Sequence, residues 1–410
     1  MADAAMRESF RKEFYSHLLA HMANGIRWTW PMPPFYTGYE GGNLFDWDQY
    51  FEGLLQLYTG FPTTFMKNSL RIFLDKQQPD GFIQRCVSPG WPNGLYPKNR
   101  VMVKPFLAQI ALLLLNHEGE VEWMRREGAF ERLDKYMAHW ERKLDRRGGG
   151  LSVWANAGHT GMDNHYERAG KDDASFCEGV DLNVYLVREA RAMAILAEEL
   201  GRPEAAGEYR ARAEGRAKLV RERLWDEREG IFYDWHAVED RPIKVKYVGA
   251  FLPMWGGIAT PEQARRLVEE HLTNAKEFWR PWPIPALAAT EPTYVQGFLP
   301  EESTGCCSWR AHTWVPTNYM VCHALRQNGY HELAATLAAK TFDLFCRGRF
   351  NEYFTSECGS GTGRKPFWGW TALALFMEPE IALGVDPTVL ARENGAVRAV
   401  RKLAQERFGA

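Results

Sequence analysis

Apolar positions recur at helical spacing through most of the chain. Phe10, Phe14, Leu18, Leu19 and Met22 share one face of a helix over 8–23, and Gly25 ends it. A second helix opens within 43–51, where Asp46 or Asp48 can serve as the cap. Thr63 or Thr64 caps a third that runs to Asp75, and the turn Gln78-Pro79-Asp80-Gly81 stops it. Lys104-Pro105 begins a fourth, since proline suits a helix start. The spacing predicts another helix over 121–147, closed by Gly148, Gly149 and Gly150. A pair follows over 178–200 and 203–224, then one helix over 261–272. Thr313–Gln327 and His331–Arg347 form a further pair around Asn328-Gly329. An aromatic-capped apolar helix starts near Phe367, and a tail helix covers 387–407. One alternating stretch, 224–235 with a central Gly230, predicts a small hairpin.

That pattern gives roughly twelve helices, mostly in antiparallel pairs with long loops on alternate connections. No sustained strand–helix alternation runs through it, which argues against a parallel sheet. The expected fold is all-α, an (α/α)6 toroid or barrel with its long functional loops on one face. No low-complexity linker divides the chain, so residues 1–410 are expected to form a single domain.

Composition narrows the function. A hydrophobic content of 45% supports a large core, and a net charge of −2 excludes polyelectrolyte binding, so nucleic acid is not an expected partner. The 16 tryptophans stand out because many fall in Gly- and Pro-bearing loops, where rings can stack against the apolar face of a sugar. The alternative is that they simply fill the core. The seven cysteines (Cys86, Cys177, Cys306, Cys307, Cys322, Cys346, Cys358) show neither a CxxC pair nor zinc-ligand spacing. They read as reduced thiols of a cytoplasmic protein, with no metal or cofactor expected. The charged N-terminus lacks an apolar signal core, and the longest apolar run, Ile110–Leu115, is too short to span a membrane.

The stretch 350–377 carries the strongest chemistry. Glu352 sits beside Tyr353 and Phe354, ahead of Gly359, Gly361 and Gly363 and then Pro366. An acid held against rings before a loop that needs glycine freedom suggests a site rather than packing. Glu357 is the alternative acid there. A second acid, Asp163, follows Gly161 between His159 and His165, although an Asx-turn role explains it equally well locally. Two such carboxyls facing each other fit glycoside hydrolysis: one, protonated, donates to the leaving oxygen, and the other activates water. The loop 81–100 brings Arg85, Trp91, Tyr96, Lys98 and Arg100, with Lys104 just beyond. These cations are candidates for binding an anionic group, or form a solvated basic loop.

Several motifs together resemble glycoside hydrolase family 63. They are Asn351-Glu352-Tyr353-Phe354, then Gly359-Ser360-Gly361-Thr362-Gly363, then Pro366-Phe367-Trp368-Gly369-Trp370-Thr371. Gly161-Met162-Asp163-Asn164, Leu44-Phe45-Asp46-Trp47-Asp48, and Trp309-Arg310 with Trp314 and Asn318 join them, as do Lys104-Pro105 with Gln109 and Asp181-Leu182-Asn183. The resemblance implies Glu352 as general base, Asp163 as general acid and an inverting mechanism. It implies sugar contacts from Tyr36, Trp47, Asp48, Arg85, Gln109, Asp181, Trp309, Arg310, Trp314 and Trp370. The chain departs from the family at Gly158-His159-Thr160 and at Ala311-His312, which bears on the substrate more than the reaction. Its compactness is similar to the members that hydrolyse mannosylglycerate or glucosylglycerate. The competing expectations are a cytosolic α-glucosidase for a neutral disaccharide, a toroid that only binds sugar, and a sugar epimerase using His159 and His165.

Overall fold

The computed structural model describes residues 4–88, 101–172, 175–299, 307–392 and 395–408. Its helices are α1 (Ala4–Ala23), α2 (Asp48–Thr59), α3 (Thr63–Asp75), α4 (Leu107–Glu118), α5 (Glu122–Glu127), α6 (Ala129–Lys143), α7 (Ala157–Thr160) and α8 (Tyr166–Ala169). They continue with α9 (Val180–Glu199), α10 (Pro203–Arg223), α11 (Leu252–Trp255), α12 (Pro261–Arg266), α13 (Val315–Gln327), α14 (His331–Gly348), α15 (Ala374–Leu383) and α16 (Ala396–Phe408).

Burial sorts these helices. Every residue of α2 is buried, as is α4 from Leu107 to Asn116, whereas α10 buries little more than one stripe. A helix enclosed on all sides belongs inside, and one with a single apolar stripe belongs outside. The packing follows suit. Helix α2 lies on α4, α4 on α9, α9 on α11 and α11 on α13; α13 and the 3-10 turn Trp370–Leu373 bring the contacts back to α2. Around them, α3 covers α2 and α4, α10 runs along α9, and α14 covers α13 and α15. Helix α16 packs on α15 and α2, and α1 packs on α16.

The all-α expectation holds for the body but needs correction in the connections. Among the described residues these carry twelve strands of two or three residues: β1 (Ile26–Arg27), β2 (Phe35–Tyr36), β3 (Leu44–Phe45), β4 (Cys86–Val87), β5 (Cys177–Glu178) and β6 (Trp225–Asp226). The rest are β7 (Ile231–Phe232), β8 (Asp234–His236), β9 (Arg241–Ile243), β10 (His312–Thr313), β11 (Tyr353–Thr355) and β12 (Gly361–Thr362). All pair antiparallel, in ladders β1–β2, β3–β4, β5–β8–β9, β6–β7 and β10–β11–β12. Buried connections must satisfy their own backbone groups, and these short ladders do that. The β6–β7 pair is the hairpin expected around Gly230.

Helix boundaries moved where local chemistry dictated. The helix expected over 121–147 breaks into α5 and α6 at Gly128, whose φ is +60°. Neither Asp46 nor Asp48 caps α2, and Pro62, not a threonine, precedes α3. Thr260 does cap α12, in a reciprocal pair with Gln263. The tail helix begins only at Ala396, after a chain reversal at Gly384.

Candidate active site

Glu352 immediately precedes β11, the central strand of the β10–β11–β12 ladder, and is 1% exposed. Its Oε2 accepts a hydrogen bond from the Arg364 amide at 2.9 Å. Its Oε1 accepts from the Tyr39 hydroxyl at 3.2 Å and from the Cys307 thiol at 3.2 Å. The Trp370 indole N–H donates to the Glu352 carbonyl at 3.1 Å. Gly363 makes this geometry attainable: its φ is +77°, and a Cβ there would stand 2.4 Å from the Tyr353 ring and 2.8 Å from the Glu352 Cβ. Burial raises the Glu352 carboxyl above its ordinary range, and the three donors partly offset this.

Asp163 follows a tight turn at Gly161, where φ is +86° and a Cβ would meet Lys104 Cε at 2.8 Å and the Trp47 indole at 3.2 Å. The turn therefore rests directly on the residue preceding α2 and on the approach to α4. The Asp163 side chain is 35% exposed, and the Arg85 guanidinium lies 3.6 Å away. Surrounding protein raises its carboxyl by desolvation; Arg85 and Lys104 oppose the rise.

The segment 307–310 ties the two acids' surroundings together. The Trp309 amide donates to Asn164 Oδ1 at 2.9 Å, and Arg310 Nη2 donates to the Asn164 carbonyl at 2.8 Å, immediately after Asp163. The Ser308 amide donates to the Tyr353 hydroxyl at 3.2 Å, immediately after Glu352. Trp309 stacks on Trp314 at 3.7 Å, and Trp314 on Tyr353 at 4.2 Å, which fixes the segment face to face with the strand. The Cys307 thiol is pushed well up by burial, then by the charges of Glu352, Asp163 and Asp48. Of these three acids, Glu352 is the one in direct contact with the sulfur, at 3.2 Å.

Beneath this lies a buried charge cluster. The β3–β4 register pairs Phe45 with Cys86, which leaves Asp46 and Arg85 one step beyond the ladder. Asp46 accepts from the Lys104 amide at 2.8 Å and from Lys104 Nζ at 2.9 Å. Burial pushes the Asp46 carboxyl up, but Lys104 and Arg85 hold it below its usual range. Asp48 differs: it is 2% exposed, and its Oδ1 has no hydrogen-bond partner among the described residues. Burial, then repulsion from Asp46, raises it to about 7. Glu52, one turn along α2, takes the Gly38 amide at 2.7 Å and Gln49 Nε2. Gln49 Oε1 is a second buried acceptor without a protein partner. Such orphaned groups in α2 mark a place built for a polar ligand. Trp47 closes the floor, 5.7 Å from the Trp309 ring and 6.4 Å from Trp370.

Asp163, Glu352, Trp47, Asp48, Arg85, Trp309 and Trp370 are therefore tied into one network. Trp314 stands behind Trp309, and Arg310 is engaged by Glu167 at 3.1 Å as well as by Asn164. Three expected sugar contacts are spent elsewhere. Tyr36 is fully buried and donates to the Trp368 carbonyl. Gln109 bridges Pro105 at 2.9 Å and Arg188 at 3.0 Å. Asp181 receives Arg168 at 3.1 Å on both oxygens and the Trp154 indole at 2.8 Å. Glu357 pairs with Arg280 at 2.7 Å, which holds its carboxyl low, away from the Glu352 cluster. His159 bonds the Met102 carbonyl, 2.8 Å away, and stacks on Trp140; His165 bonds the Trp309 carbonyl. Both imidazoles are lowered first by burial, which suits framework roles. Trp91, Tyr96, Lys98, Arg100 and Cys306 lie outside the described residues. Tyr39, Cys307 and Glu52 were not anticipated from sequence. Among the described residues no His, Cys, Asp or Glu cluster forms a metal site, and no helix is long and apolar enough to cross a membrane.

A helical body whose connections gather acids, tryptophans and buried cations is the build of a helical glycoside hydrolase. The chain belongs to the mannosylglycerate hydrolase MGH1-like glycoside hydrolase domain family, whose model matches residues 43–371. It is similar to a mannosylglycerate hydrolase of Thermus thermophilus, 33% identical over 164 residues, covering 39% of this chain and 36% of the relative. A probable mannosyl-oligosaccharide glucosidase of Schizosaccharomyces pombe is 27% identical over 296 residues, covering 66% of this chain and 34% of the relative. These matches span only about a third of the curated relatives' length. Among solved structures, a family 63 mannosylglycerate hydrolase from Thermus thermophilus in complex with glucose superposes with a TM-score of 0.69 at 23% identity. That likeness, which covers 88% of this chain and 98% of the other, establishes the shared fold.

Proposed function

We propose that the protein is an inverting α-glycoside hydrolase that cleaves a hexose α-linked to glycerate, with Asp163 as general acid and Glu352 as general base. The observation that carries this reading is the 307–310 segment, which hydrogen-bonds to the residue after each acid and sets the Cys307 sulfur 3.2 Å from the Glu352 carboxylate. In the reaction, water loses a proton to Glu352 as its oxygen bonds to the anomeric carbon. The bond from that carbon to the aglycone oxygen breaks, and this oxygen takes the proton of Asp163. Enclosure favours the protonated form of Asp163 that the donor role requires. Asp48 and Gln49 supply unmatched acceptors for sugar hydroxyls, and Trp47 and Trp309 supply apolar faces.

Arg85 makes the anionic aglycone the favoured substrate. Its guanidinium lies beside Asp163, where the leaving group would sit, and its Nε has no hydrogen-bond partner among the described residues. Lys104 is committed to Asp46 and is not available for that task. The helix packing that returns from α13 to α2 supports an (α/α)6 barrel, read here as one catalytic domain acting in the cytoplasm.

The test is a hydrolysis screen on mannosylglycerate, glucosylglycerate and neutral α-disaccharides, with the first-formed anomer read by NMR. Release of the β-anomer from an α-glycerate conjugate is expected. Preference for a disaccharide would reassign the enzyme as an α-glucosidase, and retention of configuration would reject the water-activating role of Glu352. Asp163→Asn and Glu352→Gln should each abolish turnover while sugar binding remains measurable. Turnover retained in either variant counts against its assigned role.

A further inference from the structure

The carboxylate of Glu352 is not symmetric in its surroundings. Among the described residues, Oε1 accepts two hydrogen bonds, from Tyr39 and Cys307, whereas Oε2 accepts only the Arg364 amide. A carboxylate oxygen has two lone pairs in its plane. Oε1 is therefore filled and Oε2 keeps one position open.

We infer that Cys307 is a positioning residue for the base: its thiol, with the Tyr39 hydroxyl, saturates Oε1, so the proton of the attacking water is taken by Oε2. This rests on the reading of Glu352 as general base. Three observations support it. The thiol stands 3.2 Å from Oε1 and is half-buried. It belongs to the segment whose next amide, that of Ser308, is anchored on Tyr353 at 3.2 Å, so sulfur and carboxylate are held from both sides. Burial and the neighbouring carboxylates keep the sulfur protonated, so it donates rather than repels. A donor to the charged form stabilises that form, so Cys307 sets the pH above which the base is ready. The other free cysteines have no such link to the proposed reaction: Cys322, for instance, donates to the Ala334 carbonyl inside the helical packing.

The experiment compares pH profiles of kcat/KM for the whole protein and for Cys307→Ala, Cys307→Ser and Glu352→Gln. Loss of the donor in Cys307→Ala should move the acid limb about one unit upward, so that activity well below the limb falls about tenfold relative to the variant's own plateau. Cys307→Ser keeps a donor and should restore the limb. Cys307→Val, which fills similar space without a donor, replaces the alanine variant if that one fails to fold. Superimposable profiles for wild type and Cys307→Ala, or an equal shift in Cys307→Ser, would overturn the inference. Turnover by Glu352→Gln would instead remove the base assignment beneath it, a result the cysteine variants alone do not produce.

Discussion

Lys104 Nζ stands 2.9 Å from Asp46 Oδ1, and neither side chain has any exposed surface. A buried pair of this kind adds little by existing, but removing one partner strands the other charge. Lys104→Met should therefore destabilise the protein by roughly 3–5 kcal/mol, read as a lowered melting temperature. The simultaneous change Asp46→Leu should recover much of that loss. Activity should not recover, because the Gly161 turn rests on the Lys104 side chain.

Gly363→Ala tests how tightly the base is held. The added methyl would meet the Tyr353 ring and the Glu352 Cβ in a backbone region that disfavours any Cβ. A shift of about 1 Å at a reacting group costs on the order of a hundredfold in rate. The expected result is that kcat falls by this order while KM changes little, measured by steady-state kinetics.

Arg85→Leu separates two electrostatic effects. Its charge holds the Asp163 carboxyl lower than burial alone would leave it. Without it, Asp163 stays protonated to higher pH, so the alkaline limb of kcat/KM should move upward. The same change removes the cation beside the aglycone, so KM for an α-hexosyl glycerate should rise about tenfold or more. A neutral substrate should show the shifted limb without the larger KM.

His323 predicts the pH dependence of stability. Its ring lies between Glu380 at 3.0 Å and Asp386 at 3.2 Å, and these carboxylates outweigh burial to raise it to about 9. The unfolded value is about 6.5. A raised folded value means the contribution is complete below about pH 6.5 and is lost as pH climbs through about 9. Thermal melts should fall over that window, and the decline should disappear in His323→Gln, which is less stable throughout.

The helices were legible because burial on all sides or on one stripe leaves a periodic trace in the chain. Asp163 and Glu352 could be singled out as candidates because each lies near glycines in a motif that resembles a known family, Gly161 before the first and Gly359, Gly361 and Gly363 after the second. Tyr39 was not: it lies three positions from Tyr36 in the same aromatic loop, and only the β1–β2 ladder decides that Tyr36 turns into the core while Tyr39 reaches Glu352. Asp181 misled for a similar reason. It stands in the first turn of α9, a good place for a ligand contact, but Arg168 from a distant turn claims both its oxygens. Cys307 carried no local signal, since its meaning comes from an acid further along the chain.

Tyr39 and Glu352, joined by one hydrogen bond, are separated by 313 positions. The hairpin side of that contact is also pressed backbone to backbone against the other end, since a Cβ on Gly38 would stand 2.6 Å from Gly369. Translation therefore delivers the first half of this meeting point long before the second. A growing chain on the ribosome can pack its early helices, but the contacts around the proposed centre close only once the residues around 370 have emerged. A chain that stops short of Gly369 would lack the backbone contact with Gly38.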